Sequence, residues 1–307
     1  MNISAYLSSL SLLKLLKNMP GGIAQGLIWG LLALGVYITF RLLDVADLTV
    51  DGSFTTGGAG TVMLILSGWP AWAAVLAGAV AGALAGLVTG LLHTRLGIPV
   101  ILSSILTQLA LYSVNLRIMG MAANKAISVD RFSLLLSSRN IGRAILTGLG
   151  IALVLVSFFY WYFGTEQGCA IRATGSNPHM SRSHGINIDA MKVLGLSISN
   201  GVVAFAGGLM AQYQGFADIN MGRGAIVIGL AAVIIGEVIF GKLWRNFALK
   251  LTAVAIGAVI YYIVLQIVLQ LGLNTNDLKL VSACIVAVFL AVPYWKSNAR
   301  RKEKSNA

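Results

Sequence analysis

Apolar runs of membrane-spanning length recur along this chain with hardly a charge inside them, and they restrict its possible folds more than any other feature. One of them, "AWAAVLAGAVAGALAGLVTGLL", fills residues 71–92. A helix needs about 20 mainly apolar residues to cross the hydrocarbon core. Stretches that meet or approach this length lie near residues 21–40, 52–68, 71–92, 98–121, 143–163, 191–216, 224–241, 247–272 and 279–295. The second and seventh are short for a full crossing. Composition points the same way, since 57% of the 307 residues are hydrophobic and only 10% are charged, against about 25% charged in soluble domains. The fold expected is therefore all-α, a polytopic helical membrane protein of about nine to ten transmembrane helices, with a short or broken helix in each half. The glycines that punctuate these runs, as in Gly78 to Gly90, let neighbouring helices approach closely.

Three segments divide the chain. Residues 1–19 read as an amphipathic helix lying in the membrane interface, with Lys14 and Lys17 on its polar side. Residues 20–295 form one transmembrane domain, and 296–307 a basic tail carrying Lys296, Arg300, Arg301, Lys302 and Lys304. Cytoplasmic loops collect Lys and Arg, so the tail is expected in the cytoplasm. Alternate crossings then put His93 to Gly97, the loop 164–190 and Gly241 to Lys250 on the same side. That loop is far longer than the usual connection of about 4 to 6 residues. Within it Pro178 can occupy the first position of a short helix that Gly185 stops. Such a helix makes a docking peg, and the plainer alternative is a solvated loop.

The stretch "GEVIFGKL", Gly236 to Leu243, falls one residue short of a phosphate-binding P-loop. A working P-loop follows a buried strand and ends in Ser or Thr. Here Leu243 replaces the hydroxyl and a long apolar run precedes the motif, so it reads as a helix end with a lysine reaching water. The three histidines, His93, His179 and His184, fit no triad or metal-ligand spacing, and the two cysteines, Cys169 and Cys284, suggest neither a disulfide nor a metal site. No catalysis, metal, cofactor or nucleic-acid partner is expected. Polar residues inside the apolar runs are the candidates for a solute pathway: Asp47 and Asp51, Gln108 and Asn115 two turns apart on one face, Asn200, Gln212 and Glu237. If helical, Asp44, Asp47 and Asp51 share a face. Glu237 lies near Lys242, which suggests an ion pair at the membrane surface. Interhelical hydrogen bonding is the alternative role for most of these side chains.

An ordered set of motifs carries a family resemblance. It comprises Ala173, Gly175 and Asn177, then "HGIN" from His184 to Asn187, "AFAGGL" from Ala204 to Leu209 and "VIIGE" from Val233 to Glu237. In the first half stand "DLTVDGSFTTGGA", Asp47 to Ala59, and "GLVTGLLHTRLGIPVILSSILT", Gly86 to Thr107. Over residues 20–295 the chain resembles the permease subunits of binding-protein-dependent ABC importers of the branched-chain amino acid and ribose type. The stretches "RLLDVADLTVDGSF" and "GLIWGLLALGVYITF" are most similar to the subgroup linked to aromatic amino acid uptake. The resemblance implies a bacterial inner-membrane importer of a small polar solute. A pair of permease copies would form the pathway, two ABC ATPase subunits would sit beneath it, and an extracytoplasmic solute-binding protein would deliver the cargo. It also implies that Asn177, Pro178, His179, Met180, Ser181, Arg182, Ser183, His184 and Gly185 form the coupling helix inserted into the ATPase. Glu237 departs from the family pattern, which has a small residue at that place. The alternative function is a stand-alone, ion-coupled secondary transporter or channel, whose site would lie between the two short helices.

Overall fold

The computed structural model describes residues 12–128, 131–241, 246–270, 280, 283–284, 286–288 and 291. The first crossing is α1 (Leu12–Tyr37), which runs on into a π-helical turn at Ile38–Leu42. Residues 12–19, the described part of the expected interfacial helix, join this crossing without a break. After an irregular stretch come α2 (Thr49–Leu66), α3 (Ala71–Leu96) and α4 (Val100–Ile118). A three-residue strand β1 (Asn124–Ala126) precedes α5 (Ile141–Tyr162). Two short helices, α6 (Glu166–Ser176) and α7 (Pro178–Ser183), fill the long polar loop. Then follow α8 (Ile188–Gln214), β2 (Phe216–Asp218), α9 (Ala225–Phe240) and α10 (Phe247–Gln270).

Local sequence sets these boundaries. Pro70 and Pro99 stand just before α3 and α4, where a missing N–H costs nothing. Gly97 and Gly215 close α3 and α8 in the left-handed region, at φ 68° and 79°. Asn187 caps α8 by accepting the Ala190 N–H at 3.1 Å. Among the described residues, six helical stretches are long and apolar enough to cross a membrane: Met19–Leu42, Ala71–Leu96, Val100–Ile118, Ile141–Tyr162, Ile188–Gln214 and Phe247–Val268. The two segments expected to be short are short, with 18 residues in α2 and 16 in α9. The chain is a polytopic helical membrane protein, as its sequence requires. The ninth expected stretch, 279–295, and the basic tail lie largely or wholly outside the described residues.

The core is organised around α8. One face of α3 carries Gly82, Gly86 and Gly90 four residues apart, and a Cβ on any of them would run into α8 at Ala204, Leu196 and Val193 respectively. The two backbones therefore lie against each other, as small residues allow within a bilayer. On its other side α8 meets α2 just as closely, since Gly57 abuts the Ala204 backbone and Gly207 the Phe54 backbone. Leu31, Leu32 and Val36 of α1 pack with Phe54, Val203 and Leu209. Apolar side chains such as Leu146, Val154 and Trp161 of α5 point outward instead, as lipid contact demands.

Both ends of the bundle are tied together. At one, Lys192 lies 3.3 Å from the His93 ring, and Gly175 of α6 abuts the backbone of Leu42. At the other, β1 pairs antiparallel with β2, Asn124 opposite Asp218 and Ala126 opposite Phe216. The first and second halves of the chain are thus joined at both faces.

Candidate functional site

Within the bundle, the N-terminal ends of α2 and α9 meet. Residues 43–48 are not helical and Asp44 has φ 54°, so Asp44, Asp47 and Asp51 share no helix face, contrary to the sequence expectation. Helix α2 begins only at Thr49, and Asp47 and Asp51 consequently have different roles. Asp47 is buried; its Oδ1 accepts the Thr49 N–H at 2.9 Å and its Oδ2 accepts from Asn200 Nδ2 at 2.6 Å. Asn200 also accepts from the Ser53 hydroxyl at 2.6 Å and donates to the Leu196 carbonyl at 3.0 Å. This chain of bonds fastens the start of α2 to α8. Asp51 caps α9 from across the junction, accepting the Gly224 N–H at 2.9 Å and the Ile226 N–H at 3.0 Å. Those backbone donors have no partner within their own helix.

A cavity of about 240 Å³ opens beside this junction. Its walls are Asp51 and Thr55 of α2, Gln108, Tyr112 and Asn115 of α4, and Ile219 and Arg223 from the segment leading into α9. Three of the residues singled out in the sequence, Asp51, Gln108 and Asn115, thus come together. Four do not. Besides Asp47 and Asn200, Gln212 is buried with both ends of its amide engaged, accepting the Leu135 N–H at 2.9 Å and donating to the Ala71 carbonyl at 3.2 Å. Glu237 sits at the bundle end, where its Oε1 accepts from Arg41 at 2.8 Å. The expected partner, Lys242, lies outside the described residues, and the pair found spans 196 positions of sequence.

Sequence reading passed over Tyr112 and Arg223. Tyr112 stands one turn from Gln108 on the same α4 face, a spacing that could have flagged it. Arg223 lies between Gly222 and Gly224 just ahead of a short apolar helix. A Cβ at 222 would collide with the Asp51 carbonyl, so glycine there lets the segment pass close to α2.

The polar loop presents a second feature. Helix α7 has Pro178 in its first turn and Asn177 as its cap, whose Oδ1 accepts the Met180 N–H at 3.0 Å. Ser181 is buried and donates to the Asn177 carbonyl at 3.0 Å, while Ser183 donates to the Met180 carbonyl at 2.8 Å. Gly185 ends the turn at φ 79°. His179, Met180, Arg182, Ser183 and His184 are exposed, and Met180 shows 49% of its surface among these polar neighbours. By contrast, the stretch 236–240 of the P-loop-like motif lies inside α9 and offers no loop to a phosphate.

Membrane-crossing helices interrupted by two shorter ones, with polar groups gathered where the ends of the short ones meet, define a membrane permease. Comparison with known proteins agrees: the chain belongs to the family described as branched-chain amino acid transport system / permease component, which it matches over residues 18–293. It is 37% identical to the tyrosine transport system permease protein of Clostridioides difficile (strain R20291), over 92% of this chain and 95% of that one. It is also 35% identical to the uncharacterised protein RP368 of Rickettsia prowazekii (strain Madrid E), over 87% of this chain and 94% of the relative. Among solved structures, a chain of PsaBC from Streptococcus pneumoniae in complex with Fab has a TM-score of 0.52 at 12% identity, covering 94% of this chain and 95% of that chain. That likeness concerns the fold. The family expected from the sequence motifs is correct, and the chain is a transport permease of the ABC-importer kind.

Proposed function

We propose that this protein forms the translocation pathway for an amino acid, of the aromatic class, in the bacterial inner membrane. Two copies of a separate ATPase drive it through α7, an extracytoplasmic binding protein supplies the solute, and a second copy of this chain completes the pathway. The C-terminus and the α6–α7 loop face the cytoplasm. The observation that carries the reading is α7 itself, a capped turn seated on the bundle through buried Ser181 with Met180 exposed. A short helix with few rotatable joints transmits displacement better than an open loop. It is also mechanically connected, because Gly175 just before it lies against the backbone of Leu42 and Leu43, which leads to Asp47 and α2. The amino acid class draws on the tyrosine-transport relative.

Met180→Glu and Arg182→Glu test this. Each introduces a carboxylate at an exposed position, so insertion and yield stay at wild-type levels while uptake of radiolabelled L-tyrosine falls by about tenfold or more, the equivalent of about 1.4 kcal/mol of coupling. Normal uptake in both variants removes α7 from the mechanism. Co-purification of an ATPase in mild detergent supports the importer, and proton-driven uptake by the purified chain alone supports the ion-coupled alternative.

A further inference from the structure

Among the described residues, two buried side-chain polar atoms lack a hydrogen-bond partner: Trp29 Nε1 and Asn115 Oδ1. Their surroundings differ. The Trp29 ring is stacked between Phe54 and Tyr262, at 5.1 and 5.7 Å between centroids, in an apolar cluster. Asn115 is 1% exposed yet lines the cavity beside the α2–α9 junction. Its Nδ2 faces the Gly52 carbonyl at 3.4 Å, which fixes the amide orientation and leaves Oδ1 as an acceptor awaiting a donor. Buried polar atoms are otherwise almost always paired, so Asn115 Oδ1 is the atom at this cavity wall that an N–H or O–H would satisfy.

The other walls narrow the choice. Thr55 is already engaged, donating to the Asp51 carbonyl at 3.1 Å and accepting the Gly222 N–H at 3.2 Å. Both Asp51 carboxylate oxygens are held by α9 N–H groups, so its charge is fixed at the cavity wall. The side chains of Gln108 and Arg223 form no hydrogen bond or ion pair among the described residues, and Arg223 is exposed. At about 30 Å³ for a water in the liquid, the 240 Å³ space holds the volume of roughly eight waters, the scale of one small solute rather than a peptide. The lining thus combines acceptors on Asn115 and Gln108, the Asp51 carboxylate, the unpaired guanidinium of Arg223 and the half-exposed Tyr112.

We infer that this cavity is a recognition subsite for a zwitterionic amino acid, its ammonium donating to Asn115 Oδ1 and Gln108 and its carboxylate pairing with Arg223. The inference rests on the importer reading and adds to it that the permease chain itself tests its cargo. A guanidinium suits a carboxylate because its parallel N–H groups match the two oxygens. A site built on such bonds rejects a molecule lacking the bonding group far more strongly than one differing by a methylene.

The test compares L-tyrosine, tyramine, which has no carboxylate, and 3-(4-hydroxyphenyl)propionate, which has no ammonium. Binding to the full-length protein in lipid nanodiscs is followed by saturation-transfer NMR. L-Tyrosine is expected to bind about tenfold or more tightly than either analogue. Asn115→Leu weakens L-tyrosine by about tenfold and leaves 3-(4-hydroxyphenyl)propionate unchanged, whereas Arg223→Gln weakens both of these and leaves tyramine unchanged. Arg223 is exposed, so its variant carries the test if Asn115→Leu folds poorly. Equal binding of all three probes, no saturable L-tyrosine signal, or indifference to Arg223→Gln overturns the subsite. The Arg182→Glu variant separates the two readings. Loss of uptake there together with failed selectivity in the cavity strikes the subsite alone, and intact selectivity with normal uptake strikes the coupling alone.

Discussion

Helices α8 and α4 both carry amides in apolar surroundings, yet those amides serve opposite ends. The α8 crossing is 67% buried inside the protein and the α4 crossing 28%. On α8, Asn200 and Gln212 use both the oxygen and the nitrogen of their amides on groups from other segments. On α4, among the described residues, Asn115 keeps an acceptor without a partner and the Gln108 side chain forms no bond, both at a cavity wall. A polar side chain in lipid-embedded protein is therefore glue where its partners are protein groups and a candidate contact for cargo where they are missing.

That distinction is sharpest in stability. Asn200→Leu leaves the Asp47 carboxylate and the Ser53 hydroxyl buried without their partner, and a loss of about 3 kcal/mol is expected, read as a lowered unfolding midpoint in detergent. Asp51→Ala removes an N-terminal cap supplied from another helix. It should cost about 1 kcal/mol, with faster hydrogen exchange at Gly224 and Ile226. Asn115→Leu is expected to stay within about 1 kcal/mol of wild type, because it removes an acceptor that had no partner and one long bond to the Gly52 carbonyl, which Thr56 still satisfies. A midpoint for Asn115→Leu as low as that of Asn200→Leu breaks the comparison and makes both amides structural.

The bundle was legible in the sequence because crossing helices advertise themselves locally by length and apolarity. So was α7, whose Asn177, Pro178 and Gly185 act within one turn of themselves. The pathway residues were only partly legible, since an amide in an apolar run looks alike whether its partner is cargo or a carbonyl far away in sequence. Gln212 reaches Ala71, 141 positions away, and no local pattern records this. The same holds for Glu237, which accepts from Arg41 across 196 positions. The reading of Asp44, Asp47 and Asp51 as one face failed because the helix starts later than their spacing suggests.

The wide turn at Ile38–Leu42 holds one residue more than an α-helical turn would. Each residue of an α-helix swings the next side chain by about 100°, so this surplus resets the azimuth of everything beyond Ile38 without disturbing the crossing before it. Arg41 faces Glu237 through that offset; excising a single residue here would restore regular winding and rotate the guanidinium away from its carboxylate.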